Sequence, residues 1–503
     1  MHFSLSRRAW GLGLLGLLLA AVPGWSRTIT VMAYNVENLV DADGRAVFKE
    51  YQGTAYTPAH VLTKVENIAR VVGRINDGRG PDVILFAEIE VDLTPGPTPP
   101  DYDAVLRRYA GMKIGDMLGK KFDAAIADLP AEALLLKAFA DHGLTGYRVV
   151  AADNVQTPGA TRPLAQKCVV FTRLPVQAVH AWPTPDARAI LEVDVSVDGA
   201  PLYLFDNHWK SGASDPRTET TRMANARTLR TRLDEILRAD PQADIILGGD
   251  FNSQYNQSER YAATMPETGL NGVLRSQGDA QAVRGPKRDL YNLWYELPPA
   301  QRGSDTYHGE WGTLIQLIVS RGLLDYRGVQ YVEHSFGVAK YPDLNMDPEG
   351  RPLRWSFAGP AGAGFSDHFP IYAQFTTVPD NRPDRYLPVA PAATAVAPAA
   401  APVPVDYAHV DLAHAATVLP AGAVLRSPAN VGKIFRVEGR IGPGRHLTVD
   451  FLGESYDVWS YDKEFRNRLR DSYRAGDEIR FYGELGQYKE RWQFVVRDES
   501  WVK

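Results

Sequence analysis

Four β-rich segments of this chain each end in polar side chains, and this pattern constrains the fold more than any other feature. The segments cover residues 28–34, 82–87, 201–206 and 244–249, and they are followed by Asn35, Glu88, Asn207-His208 and Asp250. Strands that end in polar groups at one edge of a sheet are typical of a catalytic rim on a rigid scaffold. The pattern therefore predicts a β-sheet core with chemistry at the strand ends.

Segments with helical periodicity separate these strands. Residues 57–76 and 217–239 repeat apolar side chains at helical spacing, with Leu229 and Leu233 on one face of the second segment. Strands mixed with such helices predict an α/β (α+β) four-layer sandwich, in which two β-sheets are flanked by helices. Residues 94–141, which open with PGPTPPD, are predicted to form an insertion at the surface.

Length and composition predict two folded domains. A chain of 503 residues exceeds what one hydrophobic core usually organises. The tract PVAPAATAVAPAAAPVPV is rich in Pro and Ala, and such tracts form semi-extended linkers. We expect a catalytic domain at residues 27–378, a linker at 379–425 and a small domain at 426–503.

The small domain shows strand-like runs at residues 433–439, 446–451, 456–460, 479–483 and 491–496, with a helical segment at 463–473. Five strands with a helix between the third and the fourth resemble an OB-fold, a small all-β barrel. Its aromatic residues are interleaved with arginines, as in surfaces that stack single-stranded nucleic acid. The aromatic residues are Tyr456, Trp459, Tyr461, Tyr482, Tyr488 and Trp492. Several of these rings must instead belong to the barrel core, and an arginine-bearing face is usually only solvated.

The first 26 residues predict export. Arg7 and Arg8 precede an apolar stretch that ends in small residues near Gly24 and Ser26, which is the pattern of a secretory signal peptide. The paired arginines also fit a twin-arginine signal, so either the Sec or the twin-arginine route is open. No later segment approaches the roughly 18 apolar residues of a membrane span. We therefore expect a periplasmic or secreted monomer without stable membrane insertion.

Charge and cysteine content restrict partners and cross-links. The net charge of −5 gives no overall basic field, so contacts with nucleic acid must be local. Cys168 is the single cysteine, which excludes an intrachain disulfide. Its apolar neighbours predict a small buried side chain.

Five short segments carry the chemistry, namely MAYNVENL, LFAEIE, FDNHWKS, LGGDFNS and GFSDHFP, in this order. Their order, spacing and placement at strand ends resemble the endonuclease/exonuclease/phosphatase superfamily, which has the DNase I-like fold, over residues 28–376. The resemblance implies a metal-dependent phosphoesterase. Phosphodiester hydrolysis needs a cation, a base for the water and donors for developing negative charge, and these segments offer all three.

The resemblance implies a role for each matching residue. Glu88, Asn35 and Asp367 would hold the metal, and Glu88 is a hard oxygen ligand suited to Mg²⁺, with Mn²⁺ or Ca²⁺ as alternatives. For a strand-end acid taken alone, simple solvation is the competing interpretation. Asp250 would orient the attacking water and Asn252 would donate to the phosphate, although an isolated Asp-x-Asn also fits an Asx-turn.

Two histidines and two further residues complete the predicted site. His208 and His368 would supply charge and a proton to the scissile phosphate. Lys210 and Asn207 would contact the same phosphate, although a strand-end lysine is often only solvated. Phe251, between Asp250 and Asn252, should point into the core.

One position departs from the family pattern. The family strand normally reads Leu-Asp-(Gln/His)-Ile-Leu-Val-Ser, and here Ile315 stands at the aspartate position. That aspartate ordinarily holds the histidine matching His368, so its loss would leave His368 less oriented and less basic. Either Asp305 or Asp325 substitutes for it, or activity is impaired.

Three function classes stay open. A nuclease, most simply an endonuclease acting on DNA or RNA, explains the site, the export and the accessory barrel together. A phosphatase or a phospholipid or inositol-phosphate phosphodiesterase would share the metal site but needs a headgroup pocket. A catalytically weakened nucleic-acid-binding protein would explain Ile315.

Overall fold

The computed structural model describes residues 26–96, 99–152, 164–378, 407–419, 424–427, 430–444, 446–488 and 491–503. Nearly all of the predicted signal peptide, and residues 379–406 of the predicted linker, lie outside the described residues. The strands of the large domain are β1 (Thr28–Leu39), β2 (Val83–Glu90), β3 (Arg148–Ala151), β4 (Gln166–Thr172), β5 (Val176–Trp182), β6 (Ile190–Val197), β7 (Ala200–His208), β8 (Ile245–Asp250), β9 (Ser276–Gln277), β10 (Leu290–Asn292), β11 (Asp305–Tyr307), β12 (Glu310–Gly312), β13 (Ile315–Val319), β14 (Val329–Tyr331), β15 (Gly337–Val338) and β16 (Ile371–Thr377). Its helices are α1 (Pro58–Val72), α2 (Tyr102–Arg108), α3 (Ile114–Met117), α4 (Ala124–Ala127), α5 (Ala131–Asp141), α6 (Pro216–Ala239), α7 (Gln257–Arg260) and α8 (Ala280–Arg284).

Two seven-stranded sheets form the centre of the large domain. The first has the order β14-β16-β1-β2-β4-β3, with β15 also paired to β16, and the second has the order β5-β6-β7-β8-β13-β10-β9. Each sheet has a parallel pair in its middle, β1 with β2 and β7 with β8. Because parallel neighbours end at the same edge, Asn35, Glu88, His208 and Asp250 reach one rim.

The apolar sequence of β1 follows from its position between two layers. Val31 and Ala33 face the second sheet, whereas Met32 and Tyr34 face the helices on the outside. A central strand buried on both faces reads as a continuous apolar run rather than an alternating one. Both surfaces of the first sheet are therefore covered.

Helices close the two outer faces. Helix α1 begins after Thr57, has Pro58 in its first turn, and packs Val61 and Val65 against the first sheet. Helix α6 begins after Asp215 and buries Leu229 and Leu233 against the second sheet. The predicted four-layer sandwich is confirmed.

The prediction of a surface insertion at residues 94–141 is wrong for its last part. Helix α5 buries Leu134, Leu135 and Phe139 in the core that also contains Phe86 of β2. The opening Pro/Gly-rich residues suggested a loop, but the AEALLLKAF segment has apolar residues for a buried face. Helix α5 therefore belongs to the outer helical layer.

A glycine sets the distance between the sheets near the rim. Gly248 of β8 faces Leu85 of β2, and a Cβ added at Gly248 would overlap the Leu85 side chain. Ile315 of β13 lies in the same inter-sheet core and is fully buried. The sheets thus approach closely beside the strand ends.

The C-terminal domain is a closed barrel. Its strands are β17 (Ile434–Ile441), β18 (Thr448–Phe451), β19 (Glu454–Trp459), β20 (Glu478–Tyr488) and β21 (Arg491–Val495), in the order β17-β18-β19-β21-β20, and its helices are α9 (Leu412–Ala415) and α10 (Lys463–Ser472). Helix α10 lies between the third and fourth strands, as predicted for an OB-fold. Tyr456 is buried in the barrel core. Among the described residues, no helix is both long and apolar enough to span a membrane.

The barrel unit extends further toward the N-terminus than the predicted boundary at residue 426. Tyr407 packs against Trp501, whose indole N–H donates to the Tyr407 carbonyl at 2.8 Å. Leu425 is buried in the barrel core. The end of the predicted linker is therefore packed on the barrel.

Candidate active site

Four side chains converge where the central strands of both sheets end. Asn35 and Glu88 come from the first sheet, and His208 and Asp250 from the second. The Asn35 amide N–H₂ donates to Glu88 Oε1 and to Asp250 Oδ2, both at 3.0 Å. His208 Nε2 lies 3.8 Å from Glu88 Oε1 and 4.0 Å from Asp250 Oδ2. The site is thus assembled from both sheets, with Asn35 joining the two carboxylates.

The backbone at Glu88 is irregular. Glu88 has φ of 69°, in the left-handed region that non-glycine residues rarely adopt. The registers of β2 with β1 and with β4 both shift at this point. The Asn38 N–H donates to Glu88 Oε2 at 3.0 Å and so fixes the second carboxylate oxygen. Such local strain is held by the surrounding structure and is common at functional sites.

The donor set fits a divalent cation. Among the described residues, one ligand atom each from Glu88, His208 and Asp250 lies within 4.8 Å of the other two. Burial raises the pKa of Glu88, and the neighbouring Asp367 raises it further. A cation between these groups would relieve the repulsion, and carboxylate oxygens suit Mg²⁺ or Mn²⁺ while imidazole suits Zn²⁺, Fe²⁺ or Ni²⁺. Asn35 uses its N–H₂ group on both carboxylates, so it orients them.

Asp250 and Asn252 occupy one tight turn. The Asn252 N–H donates to Asp250 Oδ1 at 2.8 Å, and the Asn252 amide donates to the Trp209 carbonyl at 3.1 Å. Phe251 points into the core and packs edge-on against Trp209. The predicted inward direction of Phe251 is confirmed. Both Asp250 oxygens therefore accept hydrogen bonds that fix the carboxylate.

His368 reaches the same rim through Ser366. The Ser366 hydroxyl donates to the Asn35 carbonyl at 2.7 Å and accepts from the His368 N–H at 3.1 Å. His368 Nε2 lies 3.7 Å from Asp367 Oδ1, and Asp367 also meets Arg354 at 3.4 Å. Asp367 thus lies beside His368, and its charge acts on the Glu88 carboxylate.

Asp305, rather than Asp325, is the acid beside His368. Asp305 Oδ1 lies 4.0 Å from His368 Nδ1, and the two residues form an isolated β-bridge. Asp305 comes from β11, a hairpin strand outside both sheets. Gly312 on β12 leaves the room for its carboxylate, because a Cβ there would overlap Asp305. Asp325 is buried near Asp244, at the opposite end of β8 from Asp250.

The two histidines have opposite electrostatic environments. Burial alone would lower the pKa of His368, but Asp367, Asp305 and two further carboxylates outweigh it and raise the pKa to about 9. Burial, together with the charges of Arg188 and His368, lowers the pKa of His208 well below its usual range. At neutral pH His368 is therefore a cation and His208 a neutral imidazole, which divides proton donation and acceptance between them.

Two predicted phosphate contacts, Lys210 and Asn207, have partners within the protein. Lys210 Nζ pairs with Asp186 at 2.7 Å. Asn207 is fully buried, and its amide donates to the Phe205 and Gly248 carbonyls at 3.1 Å. In the structure these hydrogen bonds of Asn207 hold the strands β7 and β8, and its contact with substrate stays a prediction.

Sequence analysis missed three ionisable groups near the rim, namely Arg188, Glu37 and Lys64. Arg188, in the loop before β6, carries a charge that acts on Glu88 and Asp250, and burial lowers its pKa. No motif marks this arginine. Glu37 lies within MAYNVENL and accepts from the Trp355 N–H at 2.9 Å, while Lys64 donates to the Glu37 carbonyl at 2.8 Å. Burial and Asp367 raise the pKa of Glu37 to about 7.

Comparisons with known proteins bear on the large domain. Residues 143–377 match the sequence model of a family described as the Endonuclease/Exonuclease/phosphatase family. No curated protein matches the chain. Truncated Caenorhabditis elegans TDP2 is 16% identical, with 69% of this chain and 97% of that chain covered and a TM-score of 0.37. An endonuclease/exonuclease/phosphatase from Beutenbergia cavernae is 14% identical, with 70% of this chain and 72% of that chain covered and a TM-score of 0.41.

The matched segment and the fold agree on the extent of the domain. The family match ends at residue 377, which is also the last residue of β16. Strand β16 pairs with β1, and β1 pairs with β2, so Asn35 and Glu88 join the matched residues at one rim. Residues 143–377 of this domain are therefore similar to the endonuclease/exonuclease/phosphatase family.

Proposed function

We propose that this chain is an exported, divalent-metal-dependent phosphodiesterase that cleaves nucleic acid. One observation carries the proposal: two carboxylates, Glu88 and Asp250, and two imidazoles, His208 and His368, converge where strands of both sheets end. Carboxylates provide a cation site and a base, and imidazoles of different charge serve a phosphate and its leaving oxygen.

The residues can be given separate roles. Glu88, with His208 and Asp250 in reach, would hold a divalent cation that supplies positive charge at the phosphate. Asp250, fixed by Asn35 and the Asn252 N–H, orients the attacking water and accepts its proton. His368, held as a cation by the carboxylates around it, donates to the phosphate or the leaving oxygen.

The barrel favours a polymeric substrate over a small phosphoester. Trp459 and Tyr461 are exposed on the barrel, and Arg466 lies 3.9 Å above the Trp459 ring. Exposed rings beside arginines can stack on nucleobases, whereas an inositol phosphate has no aromatic ring to stack on them. A phosphatase or phospholipid phosphodiesterase remains the competing class that the assay must test.

The test is hydrolysis of plasmid DNA, single-stranded DNA, RNA, inositol phosphates and sphingomyelin by the mature protein with Mg²⁺ or Mn²⁺. We expect nucleic acid to be cleaved and EDTA to abolish cleavage. The variant Glu88→Gln removes a carboxylate from the rim, and Glu235→Gln, on the exposed side of α6, is its matched control. Cleavage of inositol phosphates or sphingomyelin alone, or cleavage that persists in EDTA, contradicts the proposal.

Export is tested separately. The experiment is cell fractionation of the full chain and of a variant in which Arg7 and Arg8 are replaced by lysine. We expect the wild type to be found outside the cytoplasm. Retention of the lysine variant would indicate the twin-arginine route, and its normal export would indicate the Sec route. A cytoplasmic wild type would contradict export.

A further inference from the structure

The hairpin of β11 and β12 connects the active-site rim with the barrel. At its base, Asp305 lies beside His368, and the Phe369 N–H donates to the Ser304 carbonyl at 2.6 Å. At its tip, the His308 ring lies 4.1 Å from the Tyr461 ring of the barrel, measured between centroids. A surface that follows this hairpin therefore begins at the candidate active site and continues onto the second domain.

Exposed aromatic rings are concentrated along this path. The described residues contain seven exposed aromatic side chains, and four of them are Tyr307, Trp311, Trp459 and Tyr461. Tyr307 is 66% exposed and Tyr461 is 48% exposed. Single exposed rings are common on soluble proteins, but several on one hairpin and on the part of the barrel next to it mark an interaction surface, here with Trp311 on the opposite face of the hairpin from Tyr307.

Cationic groups accompany these rings. Lys340 Nζ lies 4.3 Å from the Trp311 ring centroid and 5.5 Å from that of Phe369, the residue after His368. The Lys340 ammonium group is partly buried, and this burial lowers its pKa. On the barrel, Arg466 lies 3.9 Å from the Trp459 ring, and Arg497 lies 5.1 Å from the Tyr461 ring. Three of the four exposed rings, those of Trp311, Trp459 and Tyr461, thus have a positive charge beside them.

We propose that this hairpin–barrel surface, formed by Tyr307, Trp311, Lys340, Trp459, Tyr461 and Arg466, binds a single-stranded nucleic acid segment next to the scissile phosphate. The inference rests on the proposed nuclease function and specifies its substrate. Unpaired bases can stack on exposed rings while the backbone phosphates meet the cations. A duplex keeps its base faces inside, so it cannot use these rings.

The binding experiment uses the full chain in EDTA, which prevents cleavage, with fluorescently labelled oligothymidylates of about four to about sixteen nucleotides. We expect affinity to rise with length in the wild type. Trp311→Ala and Tyr461→Ala should each weaken binding of the longest strand about five- to tenfold, the loss expected for one stacked base. Lys340→Gln should reduce the dependence of binding on salt concentration.

Phe122→Ala provides the matched control. Phe122 is 38% exposed and lies between α3 and α4 of the large domain, outside both the hairpin and the barrel. We expect its affinity to equal that of the wild type. Thermal melting of every variant separates the loss of a contact from the loss of the fold. Tyr461→Ala changes a surface side chain, so it is the substitution least expected to destabilise the fold.

The outcomes separate the two proposals. If the wild type cleaves nucleic acid but Trp311→Ala and Tyr461→Ala retain its dependence on strand length, or if duplex binds as tightly as single strand, this inference fails alone. Binding of neither form, with cleavage intact, also overturns it and would leave the surface to a protein partner. If no nucleic acid is cleaved under any metal, the proposed function fails and this inference fails with it.

Discussion

Replacing Asp305 by asparagine tests how the site manages without an aspartate at position 315. In the structure, Asp305 Oδ1 is 4.0 Å from His368 Nδ1, and both side chains are buried. Two unit charges at that distance interact by about 4 kcal/mol at an effective dielectric constant of about 20. Asp305→Asn removes this interaction but keeps the size of the side chain. The pKa of His368 should therefore fall from about 9 toward its ordinary value.

The sign of the pH effect follows from that shift. Because the pKa of His368 is raised in the folded protein, its protonated form stabilises the fold below the ordinary histidine pKa, and this contribution disappears as pH rises through about 9. Activity that needs protonated His368 should decline over the same alkaline range. In Asp305→Asn the alkaline limb of kcat/KM should move to lower pH, and kcat near neutral pH should fall about ten- to hundredfold.

The assay is kcat/KM as a function of pH, combined with thermal melting. Asp325→Asn is the matched control, because it also removes a buried carboxylate but lies at the other end of β8. It should leave the alkaline limb in place. An unchanged pH profile and kcat in Asp305→Asn would show that His368 works without this partner, and the reasoning would be refuted.

Four further predictions concern the rim and the domain boundary. Ile315→Asp should lower the melting temperature without raising kcat, because Ile315 is buried opposite Asp250 and a carboxylate there costs a few kcal/mol; a rise in kcat would contradict this. Glu88→Gln and Asp250→Asn should each lower kcat by at least about a hundredfold in metal-saturated assays, without changing the secondary structure seen by circular dichroism. Gly312→Ala should reproduce the shifted pH profile of Asp305→Asn, since a Cβ there displaces the Asp305 carboxylate; a wild-type profile would count against that contact. Truncation after Val378 should leave cooperative unfolding of the large domain intact while weakening binding to long single strands; unchanged affinity would leave the barrel without that role.

Most of the fold could be predicted because its layers leave regular traces in the sequence. The strand that contains Asn35 was recognisable from its apolar run, and the helix that contains Leu229 from its apolar periodicity. Helix α5 was missed because the Pro/Gly-rich residues before it suggested a loop, and its burial depends on contacts with α1 and β2 that are distant in sequence. The start of the barrel near Tyr407 was missed for a similar reason, since only Trp501 reveals that this segment is packed.

The candidate site was predictable where motifs end strands, as at Glu88, His208 and Asp250. It was not predictable where tertiary contacts decide the role of a side chain. Asn207 lies in the last part of a strand and was predicted, like Asn35, from its place after an apolar run, yet its amide bonds to carbonyls within the sheet. Arg188 comes from a loop without a motif, and its effect on Glu88 depends on burial. Asp305 could be named as a candidate, but the hairpin that brings it to His368 was not visible in the sequence.

The close approach of the two sheets at Gly248 has a consequence for heat inactivation. Glu88 and Asp250 belong to different sheets, and the gap between those sheets is set by Leu85 filling the space above Gly248. We expect side-chain packing across this gap to loosen before backbone hydrogen bonds within either sheet are lost, because local openings need less free energy than global unfolding. Turnover should therefore stop at a lower temperature than the one at which the strands melt. Loss of activity on heating would then report a change in the distance between the two sheets.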